Sequence, residues 1–260
     1  MGHARVTFLG SGTSHGVPMI GCHCATCRSD DPRDRRWRAS IAIALADGTS
    51  VLVDASPDLR TQALACHLDR VDAILFTHAH ADHVLGLDDV RRYNVLQRAV
   101  IPCYGDPLTL RQVRRTFRYV FDPPAERGGG IPRLQTFAVA GPFCLGPGEF
   151  VPVPILHGRQ PVLGYRLGSF AYLTDCNAIP NGSWPLLAGV RVLAIDALRY
   201  RPHPTHFTVD QALAVVERLR PERTYFTHIC HDLPHAATCE RLPSGVELAY
   251  DGLTLDIDDS

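Results

Sequence analysis

Hydrophobic positions fall in many short runs separated by glycine, proline and aspartate, the pattern of a strand-rich chain. Residues 5–9 read as a first strand, and 10–14 then turn. Residues 40–45 and 50–54 read as a hairpin across Ala46-Asp47-Gly48-Thr49, with Asp-Gly as the turn signal. Further strands are predicted over 71–77, 100–104, 134–139, 149–155, 162–167, 170–174, 190–196 and 224–227. Residues 246–256 read as a closing hairpin around Asp251-Gly252. Helical spacing covers 57–67, opening on Pro57, and then 88–97 and 107–119. Thr208-Val209-Asp210-Gln211 is a capping box that opens a helix running to 219. Residues 15–38 look irregular, and 123–132 form a Pro/Gly-rich loop. No repeat, linker or low-complexity tract marks a boundary. The expectation is one domain of helices covering packed sheets.

Composition narrows the class. A chain of 260 residues, 45% hydrophobic and 20% charged, is of ordinary globular type with room for a large core. No apolar run approaches the ~18–20 residues of a membrane span. The N-terminal residues lack the features of a signal peptide, so a cytoplasmic location is expected. A net charge of −1 argues against a generic polyanion binder. There is no lysine, so all 26 basic residues are arginine. That removes Schiff-base chemistry and leaves guanidinium forks suited to phosphate or carboxylate. Nine cysteines without a secretory signal point to a reducing compartment. Cys66, Cys103, Cys144, Cys176, Cys230 and Cys239 are scattered and read as core residues, whereas Cys22, Cys24 and Cys27 cluster.

The densest chemistry is His78-x-His80-x-Asp82-His83, placed directly after the apolar strand 71–75. Imidazole suits zinc, manganese or iron, and a carboxylate adds harder oxygen coordination. His78/His80 can hold one ion and Asp82/His83 can face a second. His157, Asp175 and His228 each follow an apolar strand in the same way, and loops at one sheet edge converge in space. Cys22-x-Cys24-x-x-Cys27 is one ligand short of a closed tetrahedral zinc site. His231 is the favoured fourth ligand, with His23 and Cys230 as alternatives.

With these residues in place, the chain resembles the metallo-β-lactamase fold superfamily of metal-dependent hydrolases along essentially its whole length. The resemblance implies an α/β fold, a four-layer αββα sandwich, over 1–260, with a zinc-binding loop at about 15–38. It implies one ion on His78, His80, His157 and bridging Asp175, and another on Asp82, His83, His228 and the same Asp175. Asp54 matches the family's strand-end aspartate that fixes the ligand loop. Gly12-Thr13-Ser14-His15-Gly16-Val17-Pro18, the cysteine cluster and Thr227-His228-Ile229-Cys230-His231 resemble the PhnP-type branch, phosphodiesterases that open phosphoribosyl 1,2-cyclic phosphate. In that branch the structural zinc takes the residue matching His231. Pyrroloquinoline quinone biosynthesis protein B shares the cysteines, but its His-Asp motif is degraded, whereas here it is complete.

The implied activity is hydrolysis of a small, cyclic phosphodiester by a metal-bridging hydroxide, with two divalent ions (Mn or Zn) and one structural Zn. His206 is the expected general acid, with His203 as rival; Asp82 and Asp54 complete the expected catalytic set. Arg36, Arg91, Arg92, Arg115 and Arg118 are candidates for binding a second substrate phosphate. The rival activity is an RNA-processing nuclease of the tRNase Z type, and a zinc-stabilised binding protein is a third. The expected partner is a small-molecule phosphodiester; a homodimer is one assembly allowed, and neither membrane nor nucleic acid is expected.

Overall fold

The computed structural model describes residues 3–122 and 130–258. β1 (His3–Gly10), β2 (Ser40–Ala44) and β3 (Ser50–Val53) run antiparallel; β4 (Ala73–Leu75), β5 (Ile101–Gly105) and β6 (Leu134–Ala138) continue that sheet in parallel. A second sheet begins antiparallel with β7 (Phe143–Leu145), β8 (Gly148–His157), β9 (Gln160–Leu167) and β10 (Phe170–Leu173). It becomes parallel through β11 (Val192–Asp196), β12 (Arg223–Thr227) and β13 (Val246–Leu248). The last strand, β14 (Thr254–Asp258), returns to the first sheet beside β1. Helices α1 (Leu59–Ala65), α2 (Ala81–Val84), α3 (Arg91–Gln97), α4 (Pro107–Thr116) and α5 (Arg118–Phe121) are interspersed with the first sheet. α6 (Val209–Leu219) and α7 (His235–Cys239) accompany the second. Among the described residues no helix is long and apolar enough to cross a membrane.

Three apolar cores separate the layers. Phe8, Ile41, Val53 and Leu75 of the first sheet meet Phe150, Tyr165, Tyr172 and Ala194 of the second. The alternate residues point outward: Leu52 and Ile74 pack with Leu59, Val113 and Phe117, while Leu193 and Phe226 pack with Ala212 and Val215. The central strands are therefore buried on both faces, which is why they read as continuous apolar runs. Two mixed sheets between two helical layers are the αββα, α/β architecture expected from the sequence. The capping box holds α6 as predicted: Gln211 donates its amide to Thr208 Oγ1, and Thr208 donates its amide to Gln211 Oε1.

Several expectations are corrected. Residues 246–256 do not form a hairpin, because β13 pairs with β12 in one sheet and β14 with β1 in the other. The Asp-Gly turn is pinned elsewhere: the Asp251 carboxylate accepts from Ser11 N, Ser11 Oγ and Trp37 N. The helix predicted over 57–67 starts only after Asp58. The stretch 88–97 begins as a 3-10 turn, Leu85–Val90, before α3. The helix predicted over 107–119 breaks at Phe117, whose ring is buried in the outer core while its backbone leaves the helical region. β7, α7 and the 3-10 stretch Asn181–Leu187 are too short or too proline-interrupted to show a period. The loop expected over 123–132 lies largely outside the described residues.

Arg36 ties the irregular 15–38 segment to the end of the chain. It is 2% exposed and donates to the carbonyls of Arg33, Cys230 and Leu233 and to Asp34 Oδ1. Asp34 also accepts from His235 N. Removing one partner of a buried ion pair strands the other charge in a medium that solvates it poorly. Urea unfolding of Asp34→Ala is therefore expected to show a loss of about 3–5 kcal/mol. A loss under about 1 kcal/mol, the size of an exposed pair, would contradict this role.

Candidate metal centre

The strands set the site's address. β3, β4, β8, β10, β11 and β12 all end at one edge of the two sheets, and a polar residue follows or closes each. Three of these, Asp54 (φ 62), Asp175 (φ 51) and His228 (φ 57), have left-handed backbones. A non-glycine residue there costs on the order of 1–2 kcal/mol, and such strain gathers at functional sites. The turn re-aims the side chain across the sheet edge instead of along the pleat. The short helix α2 carries Asp82 and His83, and it packs tightly against the segment after β3. Ala55 donates to His83 O, and Gly86 donates to Ala55 O. A Cβ on Gly86 would stand 1.9 Å from Ser56 O, so only glycine fits that approach.

Two groups of side chains converge at this edge. His78, His80, His157 and Asp175 form one, and Asp82, His83, Asp175 and His228 the other; the ligating atoms in each lie within 4.8 Å of one another. Asp175 is common to both. His83 Nε2 is 3.2 Å from Asp175 Oδ1 and 3.3 Å from Asp82 Oδ2, and His228 Nε2 is 3.3 Å from Asp175 Oδ1. His78 Nε2, His83 Nε2 and both His228 ring nitrogens are buried without a hydrogen-bond partner. Each such orphan costs about 1–3 kcal/mol. A divalent cation in each group would satisfy His78 Nε2, His83 Nε2 and His228 Nε2 and neutralise Asp82 and Asp175, so the donor set fits two metal ions.

The other faces of these rings are fixed by the protein. His83 Nδ1 meets Asp54 Oδ2 at 2.7 Å, and Asp54 accepts in addition from Thr77 N and Thr77 Oγ1. His157 Nδ1 donates to Thr205 O at 3.0 Å. Burial pushes His157 down to about 4 and holds His78 well below the usual imidazole range, so both rings stay neutral, the form a metal requires. His83 goes the other way. Burial opposes its charge, but Asp175, Asp82 and Asp54 surround it and raise its pKa well above the ordinary value. That concentration of negative charge is what a cation would meet.

A third group joins the expected His206 to an acid that the sequence analysis did not single out. Asp196, the last residue of β11, is fully buried; its Oδ2 accepts from Cys176 N and from His206 Nδ1 at 2.6 Å. Burial raises Asp196 well above the carboxylate range. His206 stacks on His228 at 4.5 Å, and His203 lies 5.0 Å from His206 on the outer side. Asp196 ends an apolar strand as Asp54 does, so the same strand-end signal was present for it.

The cysteine loop closes as a separate cluster. Cys22, Cys24 and Cys27 place their sulfurs 3.2, 3.5 and 3.5 Å from His231 Nδ1. Cys230 instead lies outside, its sulfur accepting from Asp232 N, and His23 is exposed and apart from the group. The Cys27 amide hydrogen bond to Cys24 Sγ pulls that thiol down to about 7. Three thiols and one imidazole nitrogen suit a tetrahedral zinc.

The arginine candidates do not reach the crevice beside this edge. Arg36 is spent in the buried ion pair, Arg91 pairs with Asp88, and Arg118 with Asp122. Arg92 and Arg115 are exposed on helices α3 and α4. The arginine that does line it, Arg199, was not singled out in the sequence.

Comparison with known proteins agrees with this geometry. A family model described as beta-lactamase superfamily domain matches residues 49–229. The crystal structure of a new diphosphatase from the PhnP family is 46% identical, with a TM-score of 0.91, covering 98% of this chain and 97% of that one. An octanoyltransferase of Porphyromonas gingivalis is 39% identical over 98% of this chain, which spans only 52% of that protein's length. Zn2+-bound PqqB from Methylobacterium extorquens, 24% identical at a TM-score of 0.78, covers 97% of this chain and 100% of its own and shares the fold.

Asp175 is the carboxylate common to both groups. Metal analysis of Asp175→Ala is expected to show the ions of both lost and the zinc of the cysteine cluster kept. Two further ions per chain retained in that variant would refute the shared carboxylate.

Proposed function

The chain belongs to the β-lactamase superfamily, and from that premise we propose that this hydrolase cleaves small phosphodiesters, cyclic ones included. The carrying observation is the pair of donor groups sharing Asp175, set beside a carboxylate-backed histidine. His78, His80, His157 and Asp175 would hold one divalent ion, and Asp82, His83, His228 and Asp175 the other; manganese and zinc both suit the mixed nitrogen and oxygen donors. Ions bound there supply an activated water at neutral pH and offset negative charge on the phosphoryl oxygens. Cys22, Cys24, Cys27 and His231 would hold a structural zinc.

The chain's own residues do the remaining work. Asp54 keeps His83 oriented through Nδ1 and fixes the ligand loop through Thr77. Thr205 O does the same for His157. His206 has its Nδ1 taken by Asp196, so Nε2 is the ring nitrogen free to serve the crevice. There it would protonate the leaving oxygen. Asp196 acts through His206, holding its tautomer and orientation, as a positioning residue. His203, on the outer side of His206, contacts none of the ligand rings in the same way and is assigned no proton transfer.

The shape of the site is consistent with a small substrate. The crevice lined by Thr13, Ser14, Arg199, His203 and His206 has a volume of about 310 Å³. That accommodates one arm of a small molecule. Assay of a cyclic ribose phosphate, 2′,3′- and 3′,5′-cyclic nucleotides, bis-p-nitrophenyl phosphate and a tRNA precursor, each with Mn and with Zn, tests the class. Turnover confined to the small diesters is expected; cleavage of the tRNA precursor alone would favour a tRNase Z-type nuclease instead.

A proton donor matters most when the leaving group is poor. His206→Ala is expected to lose about 10²–10⁴-fold in rate on an alkyl diester and much less on a p-nitrophenyl diester. Asp196→Asn should show the same imbalance at smaller size. Equal losses on both esters would remove the proton-donor role from His206.

A further inference from the structure

The nine cysteines differ in their access to solvent. Cys103, Cys176 and Cys230 are buried, and Cys66 and Cys239 are half-buried. Cys24 is exposed, and its neighbours in the cluster, Cys22 and Cys27, are half-buried. A thiolate is the form that reacts with oxidants, and a thiol bound to zinc is held as the thiolate. Access to solvent then decides which thiolate is attacked first, and in the cluster that is Cys24. Cys144 is also exposed, on β7, but among the described residues it belongs to no cluster of metal-binding side chains.

Cys24-Ala25-Thr26-Cys27 is a Cys-x-x-Cys unit wound into a tight turn. Cys27 donates its amide to Cys24 Sγ at 3.4 Å, and Arg28 donates its amide to the carbonyls of Cys24 and Ala25. The ligating atoms of the cluster lie within 4.8 Å of one another. A second thiol beside the first is what separates a reversible disulfide from stepwise over-oxidation. The cluster is also tied to the crevice beside the metal centre. Met19 donates its amide to Cys27 Sγ at 3.4 Å, and its carbonyl accepts from Cys22 N at 3.0 Å. Met19 and His231 both line that crevice.

We propose that Cys24 and Cys27 are a reversible oxidation site for hydrogen peroxide, and that closing their disulfide expels the zinc and slackens the crevice wall at Met19. This rests on the reading that Cys22, Cys24, Cys27 and His231 hold zinc. The Cys24 thiolate attacks one peroxide oxygen: the S–O bond forms, the O–O bond breaks and hydroxide leaves. The Cys27 thiolate then attacks Cys24 Sγ: the S–S bond forms, the S–O bond breaks and a second hydroxide leaves. Two electrons pass from the two sulfurs to the peroxide. Cys22 and His231 are left, half of a tetrahedral set and too few to retain the ion. Met19 loses the cluster that anchors it on both sides. The donor groups that share Asp175 take no part, so the effect falls on substrate binding and not on the chemical step.

The test loads the reduced chain with manganese at the metal centre and zinc at the cysteines, then adds hydrogen peroxide. Zinc release to a chromogenic chelator, disulfides by mass mapping after alkylation, and kinetics on bis-p-nitrophenyl phosphate are followed together. About one zinc per chain is expected to leave in step with a Cys24–Cys27 disulfide. KM should rise about fivefold or more while kcat stays within about twofold. Dithiothreitol with zinc should reverse all three changes. Cys144→Ser should respond as the wild type does. Cys27→Ser should form no such disulfide and carry Cys24 on to the sulfinic acid, which dithiothreitol does not reverse. Zinc retained while Cys144 oxidises, or zinc lost with the Cys24–Cys27 disulfide absent, would overturn the oxidation site. An unchanged KM in the disulfide form would overturn its tie to the crevice. A reduced chain that takes up no zinc at the cysteines would instead sink the zinc reading, and mass mapping of the Cys24–Cys27 disulfide would then decide the oxidation site alone.

Discussion

Four carboxylates, Asp54, Asp82, Asp175 and Asp196, are drawn into one sheet edge, all but Asp82 fully buried. Buried charge is tolerated only when paired or when it binds metal. The protein itself supplies donors to two of them, on both oxygens of Asp54 but on Oδ2 alone of Asp196. Asp54 takes Thr77 and His83, and Asp196 takes the Cys176 amide and His206. Asp175 accepts from Thr174 Oγ1, and otherwise it and Asp82 face imidazole nitrogens that have no hydrogen-bond partner. Cations between these rings and carboxylates would resolve both deficits together. The site is therefore built as a negative, nitrogen-lined recess whose stability and chemistry share one cause.

The sheets make that concentration achievable. Paired strands fix the backbone up to the last residue, and a left-handed turn at Asp54, Asp175 and His228 then directs each side chain over the edge. The strain is held by what surrounds it: Asp54 N donates to Leu75 O, and the segment after His228 is locked when Ile229 donates to Ser11 O. The same Ile229 carbonyl accepts from Thr13 N, so the loop that walls the crevice is anchored to the residue beside a ligand. Three residues further on, His231 joins the cysteine cluster. Metal centre, crevice wall and cysteine loop are thus mechanically one unit.

The candidate ligand positions were legible because each obeys one local rule, a side chain able to bind metal at the end of an apolar run. His78, His157, Asp175 and His228 follow that rule, and the fold brings them together. Asp196 follows it too, yet an acid whose partner is a histidine ten residues on carries no ligand spacing of its own. Arg199 could not be read from sequence, because what distinguishes it is its place on the crevice, a fact of tertiary arrangement. The arginines that stood out did so by clustering on helices, where charge runs are usually solvated faces. The supposed closing hairpin failed for a related reason: Asp-Gly specifies a reversal but not which sheet receives the next strand. The bonds from Ser11 and Trp37 to Asp251 hold the turn where the chain passes to the first sheet.

The central claim is that hydrolysis depends on two ions held through Asp175 and not on the cysteine-bound zinc. The most direct measurement strips the chain with chelator until only the cysteine site is filled. Metal is then returned stepwise while metal content and bis-p-nitrophenyl phosphate hydrolysis are followed together. Hydrolysis should be absent at the start and reach its plateau at two added ions per chain. Full hydrolysis with only the cysteine site filled, or a plateau reached before a second ion binds, would contradict the account.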